Sequence, residues 1–323
     1  MYWHLEKPLI ESEVLIHQSD FIANFIVNDK FYKNRNVNQI NPKFDIYTDY
    51  NNALKLGYDV NTLQYPKWLI NLFKDVGLRS YENYIPNKVL EPGTVIGKVS
   101  TTFVNSLGLD PDCEVVAGTT DSIAAFIASG ADQLGQAVTS LGSTLAIKAL
   151  SAKPVEDSRR GVYSHRLGDL WLVGGASNVG CAILRQEGFT NEELSSLSSS
   201  IDPSTDCDLS YYPLLKPGER FPTNDPQKVP ILTPKPLIND QLDREMYLKG
   251  ILQSIAYIER EAFSALEDLG ASPVTEVIYL SRYSFLFEYH SKVFTAGGGS
   301  KNVMWIAMRE RILNKKTKYH LIN

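Results

Sequence analysis

The sequence predicts an α/β protein, and three observations carry that prediction. From about Cys113 onward, short apolar runs suited to strands alternate with glycine-bearing turns. Leu248, Ile251, Leu252, Ile255, Phe263 and Leu266 recur at helical spacing, and Gly270 stands in C-cap position behind them. No segment repeats at a solenoid period, so strands and helices must pack as layers around a core.

Taken in order, Leu9–Val27 has apolar residues spaced for one buried helix face, with His17 on that helix. Asn28–Tyr47 is rich in Asn, Lys, Phe and Tyr without a period and reads as a loop. Thr48-Asp49-Tyr50-Asn51-Asn52-Ala53-Leu54 reads as a capped helix start, and Pro66-Lys67-Trp68-Leu69-Ile70 opens another helix with an early proline. Glu91-Pro92-Gly93-Thr94 is a turn. Val115-Val116-Ala117 reads as a buried strand that breaks at Gly118-Thr119-Thr120 before Asp121 opens a small-residue helix. Ala137–Ser140 runs through Leu141-Gly142-Ser143-Thr144 into a second strand, Leu145–Leu150. Val162–Leu167 and Leu170–Val173 flank Gly168-Asp169 as a hairpin, after which Gly174-Gly175-Ala176-Ser177-Asn178 reads as a turn leading to a helix through Arg185. Ile201–Asn239, rich in proline, aspartate and tyrosine, reads as irregular. A strand ending at Val293-Phe294-Thr295-Ala296 then meets Gly297-Gly298-Gly299-Ser300-Lys301-Asn302, and Trp305–Leu313 is a final helix.

Composition narrows the function. The 323 residues suffice for two domains, and 43% hydrophobic with 21% charged residues describes a soluble globular chain. A net charge of −5 without long runs of one sign argues against nucleic acid and against a polybasic membrane surface. No apolar stretch is long enough to span a bilayer, and Met1–Pro8 lacks the features of a signal or transit peptide. The three cysteines, Cys113, Cys181 and Cys207, lack metal-ligand spacing and fit a reducing compartment, Cys113 and Cys181 reading as core residues.

Chemistry concentrates at the glycine turns. Asp121 sits at the mouth of a strand–loop–helix turn, where a carboxylate could accept a proton from a substrate hydroxyl; taken alone, it reads first as a helix cap. Gly142-Ser143-Thr144 suits a phosphate loop, because glycine lets backbone N–H groups approach an anion and the hydroxyls add donors. Gly297-Gly298-Gly299 would let a flat adenosine lie against the backbone. Each is weak alone, and neither the Walker loop nor the dinucleotide fingerprint is present.

In order and together, Gly118-Thr119-Thr120-Asp121-Ser122-Ile123-Ala124-Ala125, Thr139-Ser140-Leu141-Gly142-Ser143-Thr144, Gly174-Gly175-Ala176-Ser177-Asn178 and Ala296-Gly297-Gly298-Gly299-Ser300-Lys301-Asn302 resemble the FGGY carbohydrate kinases. Within them the chain looks most like the plant and cyanobacterial D-ribulose kinase (xylulokinase-like) group, through Asp49–Asp59, Gly161–Leu167 and Gly218-Glu219-Arg220-Phe221-Pro222. The resemblance implies an actin-like ATPase fold of two ribonuclease-H-like lobes, here an incomplete first lobe over residues 1–132 and most of the second over 133–323. It implies ATP and Mg²⁺ as cofactors and a sugar as partner, with γ-phosphoryl transfer to a ketopentose hydroxyl, D-ribulose first and xylulose or another polyol as alternatives. Asp121 matches the family's catalytic base; Gly142, Ser143 and Thr144 its second phosphate motif; Gly174 and Gly175 a turn beside the nucleotide; and Gly297, Gly298, Gly299 and Asn302 its adenosine motif. No metal ligand is assigned, and a chloroplast or cytoplasmic location is implied without a targeting segment.

The sequence also departs from the family. The opening Asp-x-Gly-Thr strand is absent and the last helices of the second lobe are not reached. Insertions fall near 28–47 and 278–292, and Val179 and Cys181 stand where this group carries Thr and Gly. A catalytically inactive fragment that at most binds nucleotide is the alternative expectation.

Overall fold

Asp49 caps a short helix in the first part of the chain. In the computed structural model, which describes residues 6, 7, 9, 13–28, 45–78, 84–236, 241–279 and 302–319, its buried carboxylate accepts the backbone N–H of Asn51 and Asn52 at 2.8 and 3.0 Å. That cap ends strand β1 (Tyr47–Asp49) and opens α2 (Tyr50–Lys55). The preceding helix, α1 (Gln18–Val27), is shorter than its apolar spacing predicts. Residues 13–17 are not helical, and Leu15 N–H instead bonds Tyr84 O at 2.8 Å, so the segment is tied to another part of the unit. His17 becomes the N-cap, its Nδ1 3.4 Å from Asp20 Oδ2. Asn24 on α1 acts as a short strand neighbour for Tyr47, donating to its carbonyl at 2.8 Å and accepting its N–H at 3.0 Å.

The chain divides into two units, Met1–Ala124 and Ala125–Asn323. In the first, β1 pairs in parallel with β2 (Lys88–Leu90), and the predicted turn at 91–94 leads into β3 (Val95–Lys98). There Thr94 N–H bonds Glu91 O at 3.1 Å. Helix α3 (Lys67–Asp75) buries Leu69 and Phe73, one turn apart, against Leu9, Leu78, Tyr84 and Ile85. After α4 (Thr101–Leu107), strand β4 (Glu114–Val116) pairs antiparallel with β3. The expectation of a buried strand here is corrected: a two-stranded ribbon leaves Val116 46% exposed.

Helix α5 (Asp121–Ile127) contains the division between the units. The second unit is built on β5 (Gln136–Leu141), β6 (Leu145–Ser151), β7 (Tyr163–Leu167), β8 (Leu170–Ser177), β9 (Glu276–Tyr279) and β10 (Lys316–Tyr319), in the order β10-β9-β5-β6-β8-β7. Strands β10, β9 and β5 run parallel, whereas β5, β6, β8 and β7 are antiparallel in turn. β5 lies inside the sheet, which explains why Ala137–Leu141 is apolar or small without alternation. The 28-residue α8 (Gln241–Asp268) packs Leu248, Ile251, Leu252 and Ile255 into the core with Leu141, Leu145, Ile147 and Val173. Helix α9 (Val303–Leu313) adds Trp305 and Met308, and Trp305 Nε1 donates to Leu252 O at 2.9 Å. Two shorter helices, α6 (Ala182–Gln186) and α7 (Asn191–Ser200), follow β8.

Three expectations change. β8 does not end at Val173; it runs through Gly174 and Gly175 to Ser177, paired with β6 from Trp171 onward. The tail supplies an unforeseen edge strand, β10. Ile278 and Tyr279, taken as the start of an insertion, belong to β9. The remainder of that insertion, most of the one near 28–47, and the strand expected at 293–296 lie outside the described residues. Among the described residues no helix is long and apolar enough to cross a membrane.

Candidate functional site

In the first unit β4 leads towards Asp121, and its end is stitched to the 91–94 turn by Gly93 N–H to Ala117 O and Ala117 N–H to Thr94 O, both 2.8 Å. The chain then turns through Gly118 and Thr119. Thr120, rather than Asp121, takes the cap position, its carbonyl accepting Ile123 N–H at 3.0 Å and Ala124 N–H at 2.9 Å. Asp121 is the first residue of α5 and is exposed; its Oδ1 accepts the adjacent Ser122 N–H at 2.7 Å. The cap reading of Asp121 is therefore corrected. From the first helical position its Oδ1 still satisfies one free N–H of the first turn, and the positive end of the helix favours the charge there. Behind the loop, fully buried Asn51 donates from Nδ2 to Thr119 Oγ1 at 3.1 Å, so α2 and the Asp121 loop share a side-chain bond.

In the second unit the β5–β6 hairpin forms where the glycine and hydroxyl residues predict it. Leu141 pairs with Leu145, leaving Gly142, Ser143 and Thr144 at the tip, with Gly142 N–H on Thr144 O at 3.2 Å. Ser143 and Thr144 are exposed, and among the described residues neither of their backbone N–H groups has a protein acceptor. An ideal Cβ on Gly142 meets nothing nearer than Thr144 O at 3.6 Å. Two free N–H groups, two hydroxyls and an uncovered glycine suit a phosphate group.

The segment after β8 braces this tip. Leu145 N–H bonds Val179 O at 2.7 Å, and Cys181 N–H bonds Gly142 O at 2.8 Å. Between them Gly180 lies against the hairpin backbone so closely that a Cβ would stand 2.4 Å from Ser143 O and 2.6 Å from Thr144 Cα. Val179 is buried in the core, and Cys181 Sγ lies 3.5 Å from Leu141 O, so both departures from the family pattern fall on packing positions. All three cysteines are free thiols. Gly180 carries no motif of its own; a glycine two residues past Asn178, at the entry to a helix, is the signal that could have flagged it.

Gly174 and Gly175 lie within β8, opposite Lys148 and Ile147, and not in a turn. Both are close-approach glycines: a Cβ on Gly174 would meet Ile147 O at 2.4 Å, and one on Gly175 the Phe221 ring at 2.8 Å. Asn302 is the N-cap of α9; Oδ1 accepts Trp305 N–H at 3.0 Å and Nδ2 donates to Ser198 Oγ at 2.6 Å. Gly297, Gly298 and Gly299 lie outside the described residues. Motif reasoning also passed over the role of Glu219, whose 2%-exposed carboxylate gathers donors from Ser177, Asn178, Arg220 and Tyr212. Burial first, and then Glu219, push the Tyr212 hydroxyl far above its ordinary range, so it stays a neutral donor.

No family model matches the chain. It is 23% identical over 208 residues to a gluconokinase of Bacillus subtilis (strain 168), covering 59% of this chain and 40% of the relative. The chain thus spans less than half the length of the curated relatives it matches. Among solved structures, a xylulose kinase from Rhodospirillum rubrum superposes with a TM-score of 0.70 at 18% identity, over 98% of this chain and 57% of that one. A Plasmodium falciparum glycerol kinase with ADP superposes with a TM-score of 0.68 at 17% identity, over 94% and 54%. The fold is accordingly that of the carbohydrate kinases of the actin-like ATPase type.

Proposed function

We propose that the chain belongs to the FGGY carbohydrate kinases and serves transfer of the γ-phosphoryl group of ATP to a sugar hydroxyl. The observation that carries this reading is the open Gly142-Ser143-Thr144 tip, with unspent N–H groups, on a fold shared with sugar kinases. Similarity to gluconokinase, and fold likeness to xylulose and glycerol kinases, support a sugar-phosphorylating class.

In this reading Gly142, Ser143 and Thr144 hold nucleotide phosphate, and Asp121 accepts the proton of the sugar hydroxyl as the O–P bond forms. A loose transition state makes positioning and charge neutralisation weigh more than base strength, which suits an exposed carboxylate at a helix start. Gly174 and Gly175 support the phosphate strand from behind, and Asn302 with Gly297–Gly299 belongs to the adenosine side. ATP supplies the phosphoryl group, and Mg²⁺ would arrive held largely by its phosphates. No side chain here is assigned to the metal. The proposed substrate is a ketopentose, D-ribulose first; the xylulose kinase likeness favours xylulose as second reading.

ADP release from ATP, measured with D-ribulose, D-xylulose, gluconate and glycerol, tests the proposal. Release that depends on one ketopentose supports it. ADP binding without release for any alcohol favours the nucleotide-binding alternative, and neither binding nor release rejects both.

A further inference from the structure

The Gly218-Glu219-Arg220-Phe221-Pro222 segment, noted in the sequence only as family text, has no part in the chemistry above. Its glutamate is nonetheless among the most heavily bonded side chains described. Oε1 accepts Asn178 N–H at 2.8 Å, Arg220 N–H at 2.9 Å and Phe221 N–H at 3.4 Å. Oε2 accepts the Ser177 hydroxyl at 2.6 Å and the Tyr212 hydroxyl at 3.2 Å. Ser177 Oγ in turn accepts Val179 N–H at 3.0 Å. Two further bonds run in parallel, Asn178 Nδ2 to Gly218 O at 3.0 Å and Arg220 Nε to Ala176 O at 2.7 Å.

Residues 176–179 are therefore held on one side by 218–220. On the other side the same stretch, with Gly180 and Cys181, holds the hairpin tip through Val179 O, the Gly180 contact and Cys181 N–H. We infer that Glu219 is a positioning residue for the phosphate-binding hairpin, acting through Ser177, Asn178 and Val179. Five donors converge on it, so its charge is spent inside the protein and is not presented to a bound phosphate. The inference rests on the proposed role of Gly142–Thr144.

Two readouts on this chain test it, with ADP as the probe. Calorimetry gives ADP affinity, and amide hydrogen exchange compares Leu145 and Cys181, which donate across the brace, with the β7–β8 ladder, which does not involve it. In Glu219→Ala, exchange at Leu145 and Cys181 rises selectively and ADP affinity falls about 10-fold, the scale of one well-placed hydrogen bond lost from the tip. Glu219→Gln, which keeps one acceptor oxygen, recovers most of both. If Glu219→Ala fails to fold, Ser177→Ala severs the same path more gently and gives the same selective pattern. Unchanged exchange at the two amides, or a uniform rise across the sheet, overturns the inference, the latter by making Glu219 merely structural. A wild-type chain that does not bind ADP overturns the phosphate reading and this inference with it; selective loosening in Glu219→Ala would then show that the brace exists and that the nucleotide assignment failed.

Discussion

Replacing Gly180 by alanine adds one methyl group where the hairpin backbone already stands. The new Cβ would lie 2.4 Å from Ser143 O, 2.6 Å from Thr144 Cα and 2.7 Å from Ser143 C. Carbon contacts settle at about 3.5–4.0 Å, so the tip must retreat by roughly 1 Å. It cannot do so freely, because Leu145 N–H and Cys181 N–H tie it to the same segment at 2.7 and 2.8 Å. Overpacking of this kind costs about 1–3 kcal/mol, and loss of one of those bonds adds about 1 kcal/mol. The expected destabilisation is about 2–4 kcal/mol, a fall in Tm of roughly 5–15 °C for a unit of this size. Gly142→Ala is the matched control. Its Cβ meets only Thr144 O at 3.6 Å, and Gly142 is not in the left-handed region, so stability should stay within about 0.5 kcal/mol of wild type. That methyl would nevertheless project into the open space at the tip, where phosphate is proposed to bind. Urea unfolding followed by the fluorescence of buried Trp305, with ADP calorimetry, separates the two substitutions. Gly180→Ala should lose stability and affinity; Gly142→Ala should lose affinity alone. If Gly180→Ala costs less than about 0.5 kcal/mol, the close approach is not a constraint. If Gly142→Ala binds ADP like wild type, phosphate does not sit on this tip.

Two further perturbations probe the frame around the hairpin. Glu259 and Arg309 form a fully buried pair at 2.6 and 2.7 Å, with Thr139 of β5 donating to Glu259 at 2.6 Å. Glu259→Ala strands the guanidinium and should cost about 3–5 kcal/mol, whereas a double Met replacement should cost much less than the sum of the single changes in urea unfolding. Burial raises the Glu187 carboxyl, but hydrogen bonds from Lys235 and Tyr247 and the charges of Lys235 and Arg244 outweigh it, leaving the group below its usual range. The folded value therefore lies under the unfolded value of about 4.3, and the carboxylate stabilises the fold above that pH and loses its contribution as pH falls through the folded value. Glu187→Gln should cost about 1 kcal/mol at pH 7, modest because Lys235 is half exposed, and nothing once Glu187 is protonated in both the folded and the unfolded chain. A deficit that persists at the acid end of a pH series of urea unfolding would show that the effect is not electrostatic.

Much of the second unit was legible because local signals and tertiary packing agree there. Apolar runs flanking Gly142-Ser143-Thr144 can form only a hairpin, and the α8 spacing matches the residues that meet the sheet. Gly174 and Gly175 were misread because glycine has two uses that look alike in sequence. One is to turn the chain; the other is to admit a neighbour, here Ile147 O and the Phe221 ring. β10 was missed because Lys316-Thr317-Lys318-Tyr319 is too polar to read as a strand, though charge is what an edge strand tolerates. Asp121 was found through its company rather than its own position, and the structure moved the cap to Thr120. Glu219 had no local pattern to mark it, since the donors that tie it to the rest of the unit come from residues 177, 178 and 212, which only folding brings to it.

Sugar-dependent release of ADP from ATP by this chain and by Asp121→Asn decides whether the chain is a kinase that uses this carboxylate. The expected result is release that requires one alcohol of the panel and falls about 10²–10⁴-fold in the variant, with ADP affinity unchanged. Release that survives in Asp121→Asn at the wild-type rate would contradict the assignment of the base. Loss of ADP affinity in that variant would contradict the separation of roles between Asp121 and the Gly142–Thr144 hairpin.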